Sequence, residues 1–71
     1  MVLDIKKHLG RIEAPKGETI EVNVITVNGG KELYDLARWA KDGKRISGVF
    51  LEWHQLLELK KILCKICALK K

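Results

Sequence analysis

The spacing of apolar residues changes period once along this chain, and that change limits what it can fold into. In TIEVNVITV, Ile20, Val22 and Val24 alternate with Glu21 and Asn23. This is the period of two that sends successive side chains to opposite faces of a strand, and the β-branched residues suit a pleated, half-buried surface better than a helix. From about Val49 the spacing becomes three and four: Leu56, Leu59, Leu63 and Ile66 form one line, and Ile62, Cys67 and Leu69 widen it. That is the pattern of an amphipathic helix, with Lys60, Lys61, Lys65 and Lys71 opposite. Strands first and a helix last make an α+β chain.

Turn signals divide the first part. Pro15 and Gly17 in APKGE separate DIKKHLGRIEA, an expected edge strand carrying Ile5 and Leu9, from TIEVNVITV. Asn28-Gly29-Gly30 then marks a hairpin, because these residues tolerate the positive φ that a tight turn requires. KELYDLARWAK has helical propensity, yet its place directly after a hairpin turn predicts a third strand. Alternation then puts Leu33, Asp35, Ala37 and Trp39 on one face and Tyr34, Leu36, Arg38 and Ala40 on the other. Asp42-Gly43 predicts a second tight turn into KRIS, a short fourth strand.

With 71 residues the chain is one domain, residues 1–71, whose solitary core is marginal. Two cysteines three residues apart cannot make a disulfide framework, so oligomerisation is the expected supplement. A helix needs an apolar stripe of only about 100° to pack on a sheet, and this one is wider. Its surplus predicts a homodimer through Leu56, Leu59, Leu63 and Ile66.

Fourteen Lys and Arg against nine Asp and Glu give a net charge of +5, suited to phosphate or another anionic surface. The charged start MVLDIKKHLG does not read as a secretory signal, and no uncharged run is long enough to span a membrane. With two unpaired cysteines, the expected location is cytoplasmic.

No catalytic constellation is present. His8 and His54 lack a nucleophile at suggestive spacing, there is no phosphate-binding glycine loop, and the carboxylates are scattered, so no enzyme activity is expected. Cys64 and Cys67 lie toward the C-terminal end of the expected helix, where the dipole has the wrong sign to activate a thiol. Zinc bound by four thiolates needs a second pair. The two cysteines therefore read as small apolar packing groups, with no metal and no cofactor.

Several residues at consistent spacing resemble the family of the transcriptional coactivator positive cofactor four, including its small bacterial members. Lys16-Gly17 precedes the second strand; Tyr34-Asp35-Leu36 is followed by Trp39; Lys44 is followed by Ile46-Ser47; and Trp53 falls near the helix start. The match runs through residues 16–63. The resemblance implies a twisted four-stranded antiparallel sheet followed by one long C-terminal helix (β-β-β-β-α), dimerisation through the helices, and single-stranded DNA bound on the sheet. Four positions depart from it. Ala37 stands where an arginine contacts DNA, Arg45 replaces a glycine, Gly48 replaces an aliphatic residue, and Val49 replaces a helix-capping Asn or Ser, which shifts the expected cap to Ser47.

Single-stranded nucleic acid exposes unstacked bases and a flexible anionic backbone, so its binders combine flat aromatic surfaces with mobile cations. Tryptophan suits a small core as well as a stacking surface; the resemblance turns Trp39 outward as the stacking surface, and Trp53 is expected in the core. Lys31, Lys41 and Lys44 are the expected phosphate contacts, and Arg45 is expected to hold a phosphate or stack on a base. Arg38 completes the set, although alternation turns it to the opposite face. The function expected is low-specificity binding of single-stranded DNA, with single-stranded RNA as a variant, by a homodimer acting in transcription, replication or repair beside that machinery. The alternative is a small dimeric protein-interaction adaptor that binds no nucleic acid. A membrane-surface role for the basic helix is disfavoured, because no aromatic sits near the helix end.

Overall fold

The computed structural model describes residues 2–70, so Lys71 lies outside the described residues. Four strands and one long helix follow in order: β1 (Leu3–Glu13), β2 (Thr19–Val27), β3 (Glu32–Trp39), β4 (Arg45–Leu51) and α1 (Trp53–Leu69). The strands form one antiparallel sheet in the order β1-β2-β3-β4. The expected architecture of four antiparallel strands and a C-terminal helix is therefore the one observed. Within the segment 31–41, Glu32–Trp39 is strand rather than helix: pairing on both sides, with β2 and with β4, outweighs its helical propensity.

Two boundaries differ from expectation. The fourth strand does not stop at KRIS but runs to Leu51, with Val49, Phe50 and Leu51 paired to Leu36, Asp35 and Tyr34. The helix begins at Trp53 instead of near Val49, so neither Val49 nor Ser47 caps it. Glu52 is the N-cap, and Gln55 Oε1 accepts a hydrogen bond from its backbone N–H at 2.9 Å, one arm of a capping box. A short apolar run such as Val-Phe-Leu fits strand or helix equally by pattern; the open edge of β3 decides between them.

Cross-strand register defines the two faces of the sheet. On one face lie Thr19, Glu21, Asn23 and Ile25 of β2, facing Trp39, Ala37, Asp35 and Leu33 of β3. The same face carries Arg45, Gly48 and Phe50 of β4, opposite Trp39, Ala37 and Asp35. Its centre is tight, with Asn23, Ile25, Asp35 and Ala37 all buried. The other face carries Ile20, Val22, Val24, Tyr34, Leu36 and Val49, and α1 meets it where Trp53 lies against Tyr34, ring centroids 6.0 Å apart.

Among the described residues, Ile25 and Ala37 are the only buried apolar side chains, and no residue of α1 is buried. Trp53, expected in the core, is 60% exposed. Its position on the first helical turn, just past the last strand, lets Tyr34 cover only one side of the indole. The core is as thin as the chain length implies.

Candidate nucleic-acid interface

Trp39 closes β3 and pairs with Thr19 on one side and Arg45 on the other. It is half-buried, and its indole Nε1 is enclosed without a hydrogen-bond partner among the described residues. Beside it a groove of about 440 Å³ is bounded by Arg11, Glu13, Thr19, Glu21 and Lys41. Thr19 Oγ1 donates to Glu21 Oε2 at 2.9 Å, which orients that carboxylate along the groove floor. His8 Nδ1 lies 2.7 Å from Asn23 Oδ1 and 3.8 Å from Glu21 Oε1, extending the polar row toward β1.

Two turns deliver lysines to this end of the sheet. Asp42-Gly43 reverses the chain between β3 and β4: Gly43 has φ +89°, its N–H donates to Ala40 O at 3.0 Å, and Asp42 Oδ1 accepts from the Lys44 N–H at 3.1 Å. Lys41 and Lys44 project from it, exposed, with no ion-pair partner among the described residues. The turn before β2 holds Lys16 and Gly17 at φ 65° and 76°. A Cβ on Gly17 would lie 3.1 Å from Lys41 Cδ, so the bare glycine is the surface along which the Lys41 stem runs.

Arg45 is held differently. Its Nε donates to Asp35 Oδ2 at 3.1 Å and its Nη2 to Asp35 Oδ1 at 2.8 Å, a bidentate pair with a carboxylate that is 0% exposed. Its Cζ lies 5.0 Å from the centroid of the Phe50 ring. Hydrogen bonding to Asp35 raises the guanidinium pKa further, against partial burial, which lowers it. Arg45 pairs with Trp39, whereas Asp35 pairs with Phe50, so the side chain passes over the intervening Ala37–Gly48 pair. That passage needs small residues beneath it. A guanidinium thus crosses above Ala37, delivered from the neighbouring strand.

The remaining expected cations lie elsewhere. Arg38 is on the opposite face, where Nη1 donates to Glu18 Oε1 at 3.0 Å. Lys31 precedes the far end of β3, about 25 Å along the strand from Trp39, and is ion-paired to Glu52. Hydrogen bonding from Lys31 is the main cause that lowers the Glu52 pKa. The structure therefore gathers Trp39, Lys41, Lys44 and Arg45 and leaves Arg38 and Lys31 apart. Arg11, Glu21 and Phe50 join the site without having been singled out in the sequence. Arg11 escapes a simple count of alternation because β1 shifts register between Ile5 and Lys7 and again between His8 and Gly10.

On α1, the stripe is open. Leu56 and Leu59 are half-buried, while Leu63 and Ile66 are exposed. Leu56, Leu59, Leu63, Cys64, Cys67 and Ala68 line an apolar groove of about 420 Å³, and both cysteines are free thiols. Among the described residues there is no cluster of three metal-ligating side chains, and no helix long and apolar enough to cross a membrane.

Compared with known protein families, curated proteins and solved structures, the chain matches none.

Proposed function

We propose that this chain binds single-stranded DNA with little sequence preference, as a cytoplasmic homodimer acting in transcription, replication or repair. One observation carries the reading: an indole and Lys41 line an open groove at one end of one sheet face, and Lys44, exposed and without an ion-pair partner among the described residues, leaves the same turn. A base stacks on Trp39, contributing about 1–3 kcal/mol. Lys41 and Lys44 follow the flanking phosphates on long, mobile side chains. Glu13 and Glu21 offset the charges of Arg11 and Lys41 along the groove, which suits a neutral base there better than a phosphate. The resemblance to the coactivator family supports the same reading.

The open stripe on α1 supports the dimer. A two-fold interface uses one patch twice, so an apolar helix face left exposed can be covered by the same face of a second copy. Two sheet faces related by that axis would hold two stretches of unpaired strand, the geometry of melted duplex.

The test is a fluorescence-anisotropy titration of a labelled thymidine oligomer of about 20 nucleotides, against the matching duplex, at two salt concentrations. Tight single-strand binding is expected, with a log–log salt slope of about −0.7 per phosphate contact. Trp39→Ala should weaken it more than Trp53→Ala at equal folded fraction. Absence of binding at low salt would leave the dimeric adaptor, favoured by the exposed helix face, as the reading that stands.

A further inference from the structure

Arg45 raises a question that the proposed activity does not answer. A cation that serves a phosphate should be exposed and unpaired, as Lys41 and Lys44 are among the described residues. Arg45 is neither. Two of its donors are fixed on Asp35, at 3.1 and 2.8 Å, and that carboxylate is wholly buried. The pair is close to neutral, so its attraction for a phosphate is largely spent within the protein. What remains available is the planar group itself, backed by Phe50 at 5.0 Å and with a quarter of the side chain still exposed.

We propose that Arg45 is a second base-stacking surface: Asp35 and Phe50 lock its guanidinium plane, and a nucleobase of a bound single strand lies on it beside the base held by Trp39. The inference rests on the single-strand-binding reading and deepens that same site. A guanidinium stacks on aromatic faces because it is planar, delocalised and weakly hydrated. Here the entropic cost of ordering the side chain is already met in the free protein, because the bidentate pair fixes it. The neighbouring residues fit this role. Ala37 and Gly48 keep the surface between Trp39 and Asp35 low, and Gly48 cannot carry a side chain, since a Cβ there would lie 2.5 Å from Ala37 Cβ. Arg45 pairs directly with Trp39 and its side chain reaches along β3 toward Asp35, so the two surfaces sit on one face, in line with the strand direction. Stacking tolerates any base, which agrees with weak sequence preference.

Two variants separate stacking from phosphate contact. Arg45→Lys keeps the charge and a partner for Asp35 but loses the plane; Arg45→Gln loses both. Each is titrated with the thymidine oligomer at several salt concentrations, at a temperature where circular dichroism shows it folded. For a stacking surface, R45K should weaken binding about 5- to 150-fold, the loss of one stacked base, with the salt slope unchanged. Wild-type affinity in R45K overturns the proposal, as does a slope about 0.7 smaller in R45Q. If R45Q does not fold, the affinity of R45K decides alone. Failure of the wild-type protein to bind the oligomer is a separate outcome that removes the underlying reading together with this one.

Discussion

Adding one methyl group at Gly48 tests whether the sheet centre is as tight as the register implies. A Cβ at this position would lie 2.5 Å from Ala37 Cβ, 2.6 Å from the Leu36 carbonyl oxygen and 2.7 Å from Ala37 Cα. Ordinary carbon contacts lie near 3.5–4.0 Å, so the overlap is about 1 Å against three atoms, two of them backbone. No rotamer change relieves it; β3 and β4 must separate. Overpacking of this kind costs about 1–3 kcal/mol, and a stretched ladder bond about 1 kcal/mol more. The lost flexibility of glycine in the unfolded chain offsets about 0.5–1 kcal/mol. A net cost of about 2–3 kcal/mol remains, a large share of the 4–10 kcal/mol that a chain of this size has in total, by a rough per-residue scale. At about 4–8 °C per kcal/mol, Gly48→Ala should lower Tm by about 10–20 °C. The assay is circular-dichroism melting at fixed protein concentration, because dimerisation would make Tm concentration-dependent. Gly10→Ala is the control: nothing lies within 4 Å of its Cβ, and its Tm should stay within a few degrees of wild type. The double change Ala37→Gly with Gly48→Ala removes the 2.5 Å contact but not the two backbone ones, so it should recover less than half of the loss. A Gly48→Ala melt within about 3 °C of wild type would show that the strands separate at little cost, and the reasoning would fail.

Three further outcomes follow from the same geometry. Asp35→Asn leaves the Arg45 guanidinium without its counter-charge above a buried neutral amide, and should cost about 2–4 kcal/mol in urea unfolding. The Glu52 pKa is lowered from its ordinary value of 4.5, chiefly by hydrogen bonding to Lys31. A depressed carboxylate pKa contributes stability that is present above the unfolded value and lost as pH falls through the folded one. Helical circular dichroism should therefore decline on acidification below that ordinary value, and Lys31→Met should move the decline to higher pH. Leu63→Asp puts a charge in the centre of the open helix stripe; sedimentation velocity should show a dimer for the wild type and a monomer for this variant, with the sheet signal retained.

How far the sequence alone reached depends on the range of the forces involved. β2 was legible residue for residue, because its alternation of β-branched and polar side chains and its flanking turns are local signals. The two glycine turns were legible for the same reason. The end of β4 was not: Val49, Phe50 and Leu51 carry no local preference strong enough to separate strand from helix, and their state depends on hydrogen bonds to β3, a partner distant in the chain.

The site divides along the same line. Composition and alternation already placed Trp39 beside basic turns, since the positions of Lys41 and Lys44 follow from the tight reversal at Asp42-Gly43. Only the tertiary structure decided which cations are free. Pairing Arg45 with Asp35, Arg38 with Glu18 and Lys31 with Glu52 requires residues 10, 20 and 21 positions apart to meet, and such meetings depend on sheet register and on where the helix starts. The sequence by itself determined the order of elements and the chemistry available at one end of the sheet. The fold determined which of those groups remain free to meet a ligand, because a charge is committed by whatever lies within a few ångströms of it, and that neighbour is set by long-range pairing.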